Sequence, residues 1–170
     1  MTKLFVVVSG PPGSGKTTLA ARLAPALGLP LLAKDTIKEA LMTVLPVPDV
    51  AASQVIGRAS VAALYGLAAQ NEGAVLDSVW HRRALPELRA LPAPVVEVHC
   101  QCARGVALER YRSRQRAHGH FDAGRSADEL WNAEVSRPVA GGWPVITADT
   151  NGPVDLADLV RQIAGASRLS

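Results

Sequence analysis

Gly10-Pro11-Pro12-Gly13-Ser14-Gly15-Lys16-Thr17 follows directly on the apolar run Leu4-Phe5-Val6-Val7-Val8 and fits the spacing G-x-x-x-x-G-K-[ST] of a phosphate-binding loop. Glycines at those points let the backbone curl so that successive N–H groups point inward, and a helix starting near Gly15 adds its positive end. Such a cavity suits a polyphosphate. Pro11 and Pro12 carry no N–H, so the donors are the amides of Gly13, Gly15, Lys16, Thr17 and Thr18, in a loop the prolines stiffen. Gly10 and Ser14 complete the cradle. Lys16 is placed to reach β- and γ-phosphates, and the Thr17 hydroxyl to take one position on Mg²⁺.

A metal-side carboxylate is the next requirement, and Asp77 meets it at the end of Ala74-Val75-Leu76, an apolar-then-acidic pattern. Asp35 closes a second short apolar run, Leu29 to Ala33, and precedes the helical Thr36–Met42. Open α/β sheets put ligands at the carboxyl ends of their strands, so Asp35 is a functional candidate; capping the next helix is its other role, and the two are compatible. Trp80, His81, Arg82 and Arg83 lie just past Asp77 and either line an acceptor pocket or form a core tryptophan and a solvated helix start. Arg104, Arg110, Arg112, Arg114 and Arg116 crowd one segment, where they make a phosphate clamp or a solvated face; Arg110 and Arg114 share a helix face at i, i+4. His118 and His120 flank a glycine and read as an exposed loop. Cys100 and Cys102 lack a second pair and read as reduced thiols.

These groups need a scaffold, and 170 residues is the size of one α/β domain, 1–170. Nearly half the residues are apolar, yet no apolar run approaches a membrane span, so a cytoplasmic chain without a membrane partner is expected. The net charge of +3 is modest and its excess local, which argues against a nucleic-acid surface.

Periodicity supplies the elements. A first helix from about Gly15 buries Leu19, Leu23 and Leu27, and Gly28 closes it. A long Ala-rich helix covers 54–70, with Gly73 as a left-handed cap before the third strand. Strands follow at 94–100, with Glu97 and His99 alternating against Val96 and Val98, and at 144–147. Helices fill 103–117 and 128–135, and a last one carries Leu156, Leu159, Val160 and Ile163 as its buried stripe. Five strands alternating with helices give a doubly wound α/β parallel sheet with helices on both faces.

Taken together, GPPGSGKTT at 10–18, KDTIKEAL at 34–41, VLDS at 75–78, ERYRSR at 109–114 and VITADTNGPVD at 145–155 make the chain resemble the small P-loop kinases. That group includes gluconate kinase, chloramphenicol phosphotransferase, the 5′-hydroxyl polynucleotide kinase domain and zeta-toxin-like kinases. The resemblance implies a P-loop NTPase fold with strand order 2-3-1-4-5 and an arginine-rich lid at about 103–125. It implies Asp35 as the base for an acceptor hydroxyl, with Lys38 one turn on beside that acceptor. Arg110 and Arg114 would be lid arginines over the transferred phosphoryl group, and residues 149–153, including Thr150 and Gly152, the loop beside adenine. Lys38 stands where several members carry Arg, and Trp80-His81-Arg82 matches no acceptor signature.

The expected activity is transfer of the γ-phosphoryl group of ATP, with Mg²⁺, to a hydroxyl of a small polar molecule such as a sugar, nucleoside or antibiotic, by a monomer or homodimer. Asp35, Lys38, Asp77, Trp80 and Arg82 are the candidate substrate residues. A 5′-hydroxyl nucleic-acid kinase predicts steep salt dependence of binding, and a non-enzymatic nucleotide-binding module predicts no dependence on Asp35.

Overall fold

The computed structural model describes residues 3–113 and 127–168. The chain runs β1 (Phe5–Ser9), α1 (Lys16–Leu27), β2 (Leu31–Ala33), α2 (Lys34–Met42), α3 (Val50–Ala69), β3 (Ala74–Asp77), a 3₁₀ turn (Arg82–Ala84), α4 (Leu85–Arg89), β4 (Val95–Gln101), α5 (Arg104–Ser113), α6 (Ala127–Leu130), β5 (Val145–Asp149) and α7 (Leu156–Ala166). The five strands form one sheet in the order β2-β3-β1-β4-β5 with parallel pairing throughout. Parallel central strands are covered on both faces, which is why β1 and β3 are buried at every position.

One face packs Leu4, Val6, Val8, Val75, Val96 and Val98 against Leu19 and Leu23 of α1 and Leu159 and Ile163 of α7. The other packs Phe5, Val7 and Leu76 against Leu64 and Ala68 of α3, Trp80, and Leu88 of α4. Each fully buried leucine or isoleucine here contributes about 1.5–3 kcal/mol. A third cluster joins Ala107 of α5 to Leu130 and Trp131, with Tyr111 set edge-on to Trp131 at 5.6 Å.

Several boundaries differ from the sequence expectation for identifiable reasons. The second strand begins at Leu31, and α2 begins at Lys34, so Asp35 lies inside the first turn. The cap position belongs to Ala33, which offers no side-chain bond; the capping role considered for Asp35 is therefore not the one it has. α3 starts earlier because the Asp49 carboxylate accepts the Ala52 amide as an N-cap. The helix expected over 128–135 stops at Leu130, since the Asn132 side chain accepts the amides of Glu134 and Val135 and turns the chain. Gly73 is not a left-handed cap: α3 ends on Gln70 in right-handed geometry, and a side chain at 73 would meet the Leu4 backbone at 2.5 Å. α3 is by length and composition the one helix among the described residues that could cross a membrane, although Ser53, Gln54, Arg58 and Ser60 interrupt its apolar residues; Ser53, Ile56, Ser60, Leu64 and Ala68 form its buried stripe.

Candidate active site

β1 ends on Ser9, and the loop to α1 turns back over the carboxyl edge of the sheet. Gly13 sits at φ +76, where a Cβ would collide with the Ala107 carbonyl oxygen of α5, so conformation and space both require glycine. Gly15 takes the N-cap position of α1. The amides of Lys16, Thr17 and Thr18 in the first turn have no acceptor within the helix and so suit an anion. Ser14 donates its amide to Pro11 O at 3.2 Å, while its buried hydroxyl has no partner among the described residues. Lys16 is 7% exposed and its Nζ donates to Pro11 O at 3.0 Å.

Sheet register places the acids. Val8 pairs with Asp77, and Asp77 pairs on its other side with Ala33, so the three end their strands in one row. Asp77 is 5% exposed. Asp35 lies two residues beyond Ala33, on the side of Asp77 away from the phosphate loop, half-buried and 3.0 Å from Lys34 Nζ. One turn along α2, the buried Lys38 donates to Ser53 Oγ of α3 at 2.7 Å.

On the opposite flank, Arg110 differs from the exposed Arg104 and Arg112 of its helix. Its Nη1 donates to Thr150 O at 2.7 Å and its Nη2 to Asn151 O at 3.0 Å. A Cβ on Gly15 would lie 3.9 Å from Arg110 Nη1 and 3.8 Å from Thr150 Cβ, which sets Arg110 and the β5–α7 loop beside the phosphate loop. Thr150 is held by Oγ1 on Gln101 O at 3.0 Å, and Asn151 bonds Asp149 through its backbone and side-chain N–H groups. Those two bonds, the backbone one first, lower the pKa of Asp149. Gly152 is exposed in the same loop. Arg114, Arg116, His118 and His120 lie outside the described residues.

The segment after β3 divides. Trp80 is buried in the core beneath the sheet, its indole N–H donating to Val8 O at 2.9 Å and its ring 6.3 Å from Tyr65. Burial pushes the Tyr65 hydroxyl up to about 12. Arg82 keeps an exposed side chain while its amide donates to Glu134 Oε1 at 2.9 Å, and His81 Nδ1 lies 3.2 Å from Glu134 Oε2. The Arg82 amide, and then His81, lower the pKa of Glu134. Cys100 is buried, with its thiol pushed up to about 12 by that burial, and Cys102 lies 3.7 Å from Arg110 Nη1; both are free.

The functional expectations passed over a polar cluster on β4. Glu97 is fully buried and accepts from Ser9 Oγ at 2.6 Å, the amides of Val139 and Ala140 at 2.7 and 2.9 Å, and Trp143 Nε1 at 3.1 Å. His99 Nδ1 lies 2.9 Å from the same Ser9 hydroxyl. Burial lowers the pKa of His99; Glu97 and a bond to the Ser136 backbone oppose that, and the charge of Lys16 adds to it. The alternation of Glu97 and His99 with Val96 and Val98 was the available signal, because a carboxylate inside a central parallel strand must find donors.

This arrangement of phosphate loop, strand order and strand-end acids defines a small kinase on the P-loop NTPase fold. A family model described as an AAA domain matches residues 5–138, and the chain belongs to that family. No curated protein matches the sequence. Among solved structures, a candidate kinase from Chloroflexus aurantiacus J-10-fl is 28% identical, with TM-score 0.87, covering 98% of this chain and 99% of its own. A sugar kinase from Janibacter sp. HTCC2649 is 19% identical, with TM-score 0.64 and coverage of 100% and 96%. A gluconokinase from Sinorhizobium meliloti 1021 is 24% identical, with TM-score 0.60 and coverage of 98% and 93%. These last two likenesses carry the fold.

Proposed function

We propose that the protein transfers the γ-phosphoryl group of ATP to a hydroxyl of a small polar molecule, with sugars, nucleosides and hydroxyl-bearing antibiotics as the acceptor classes. The observation that carries this reading is the row Val8, Asp77, Ala33 with Asp35 just beyond it. The row sets one carboxylate next to the strand that leads into the phosphate loop and a second one strand further out, an order that supports in-line approach of an acceptor from the Asp35 side.

The donor phosphates bind the first-turn amides of α1 and the loop glycines, and the unpartnered Ser14 hydroxyl supports a polar occupant there. Lys16 exchanges Pro11 O for the β- and γ-phosphates. Thr17 and Asp77 supply a hydroxyl and a carboxylate oxygen, the hard donors that Mg²⁺ takes, and would hold that ion. When bound, Mg²⁺ neutralises charge developing on the phosphate oxygens. Asp35 accepts the proton of the attacking hydroxyl, and Lys38 fixes the α2–α3 side of the acceptor site through Ser53. Arg110 leaves the Thr150 and Asn151 carbonyls to meet the transferred group. Arg114 is proposed to join it, with Arg82 bordering the acceptor and Thr150 and Gly152 bordering the base, while Trp80 packs in the core behind the site.

The test is a screen for ADP formed above background hydrolysis with MgATP and a panel of hydroxyl compounds. Sugars and sugar acids come first, on the names of the sugar kinase and gluconokinase likenesses. A panel spanning all three classes that leaves ADP at background would overturn the proposal.

A further inference from the structure

We propose that Glu97, together with Ser9 and His99, is a positioning network that keeps the phosphate loop in register with the loop after β3; the inference rests on the kinase reading above. Two separated stretches converge on one carboxylate. Ser9 is the last residue before Gly10, and its hydroxyl is gripped by Glu97 and His99 together. The other three donors to Glu97 are Val139, Ala140 and Trp143, all in the strap between Trp131 and β5. The strap in turn carries Glu134, which binds the Arg82 amide and His81. Hydrogen bonds at both ends, joined by the strap's own backbone from Glu134 to Ala140, therefore connect the start of the donor loop to residues 81–82.

Two features separate this from ordinary core packing. Hydrocarbon in the place of Glu97 would fill space at lower desolvation cost but would fix no direction, whereas a carboxylate with four donors sets distance and orientation together. Ala140 also sits at φ +50, an unfavoured conformation for a residue with a side chain, and its amide is one of the four donors. The carboxylate thus holds the strap in a shape it would otherwise leave. Ser9, which this network grips, adjoins Gly10 at the start of the phosphate loop. Occupancy of the loop should therefore be felt through the network.

Tryptophan indoles report both ends without needing an acceptor. Trp80 donates to Val8 O beside the phosphate loop, and Trp143 donates to Glu97 at the amino end of β5. The full chain, labelled with ¹⁵N at tryptophan, is titrated with the magnesium complex of a non-hydrolysable ATP analogue. In the wild type, the Trp143 indole resonance is expected to shift saturably with the midpoint of the Trp80 shift. In Ser9→Ala the Trp80 shift stays and the Trp143 shift is lost; in His99→Gln, the second variant, it shrinks. A Trp143 signal that stands still at saturation in the wild type overturns the network, and so does a full response in either variant. If no resonance responds to the analogue in the wild type, the nucleotide reading itself fails and the network falls with it. With an acceptor in hand, Ser9→Ala should raise the acceptor KM about tenfold with nucleotide affinity unchanged, because a looser site loses alignment first. Equal loss in both marks a structural role only and overturns the proposal.

Discussion

Between β1 and α1 the chain builds its candidate donor site largely from backbone: glycines at φ +136, +76 and +89, a helix N-terminus, and one lysine resting on a carbonyl. From Asp35 to Arg82 the candidate acceptor side is built from side chains on separate elements: a carboxylate in the first turn of α2, a buried lysine on a serine of α3, and a loop tied to Glu134. Backbone recognition suits a partner whose phosphates are invariant, because peptide N–H groups are identical whatever the side chain. Side-chain recognition suits a partner that differs between enzymes. The contrast explains why the donor class is readable from one short stretch and the acceptor is not.

The comparison breaks most visibly at Asp35. Asp35→Asn preserves shape and, since Ala33 holds the cap position, should leave folding intact. It is expected to bind MgATP normally and to lose about 10²–10⁴-fold in transfer, the usual worth of a positioned base. Single-turnover assays with an identified acceptor check this, and an undiminished rate removes Asp35 from catalysis. Lys16→Ala attacks the other half: a loss of about 3 kcal/mol of transition-state stabilisation, roughly 10²-fold in kcat, is expected at saturating MgATP. Near wild-type turnover there would mean that the loop does not handle the transferred group.

The same contrast governs how far the sequence could be read. The phosphate loop lies within eight contiguous residues, so spacing alone defined it, and Asp77 followed from an apolar run next to a loop that requires a carboxylate. Strand order came through the resemblance and matches the sheet. What stayed hidden depends on contacts distant in sequence. Gly73 is required by the Leu4 backbone across the β1–β3 pair, which no local pattern announces. α6 ends early because Asn132 folds its amide back on the chain. Glu97 draws its donors from 42 to 88 residues away, so its burial could be suspected from alternation but its partners could not be named. Trp80 shows the limit most plainly, since the ring could equally have faced a ligand until the Val8 carbonyl was seen to accept its N–H.

A smaller effect tests whether the flank that carries Arg110 belongs to the donor half. Arg110 now spends its guanidinium on Thr150 and Asn151 carbonyls beside Gly15. If it moves to the phosphoryl group only as charge develops, Arg110→Ala should lower kcat by about tenfold or more and change nucleotide affinity little. Calorimetric binding and steady-state kinetics on one preparation separate the two. A kcat loss under about threefold would return Arg110 to a structural tie between α5 and the loop.

The smallest expected effect concerns the joint between the halves, and its sign follows from the burial of His99. An imidazole in the unfolded chain titrates near 6.5, whereas burial first, and the Lys16 charge as well, hold the folded value lower despite Glu97 and Ser136. Above about pH 6.5 both states are neutral at this residue, and it contributes nothing to the pH dependence of stability. As pH falls through that value, the unfolded chain takes a proton that the folded chain refuses. Stability then declines toward the folded pKa, with a slope of at most about 1.4 kcal/mol per pH unit. Glu134, Asp149 and Asp158, whose folded pKa values are lowered from 4.5, 3.8 and 3.8, lose their contributions only in more acidic solution, so the windows are separable. Urea unfolding of the wild type at about pH 7 and about pH 5.5 should show the decline, and His99→Gln, which cannot titrate, should remove that share of it. An unchanged difference in the variant would mean that the decline comes from other groups, and that His99 meets water freely instead of closing the contact between Ser9 and the strap.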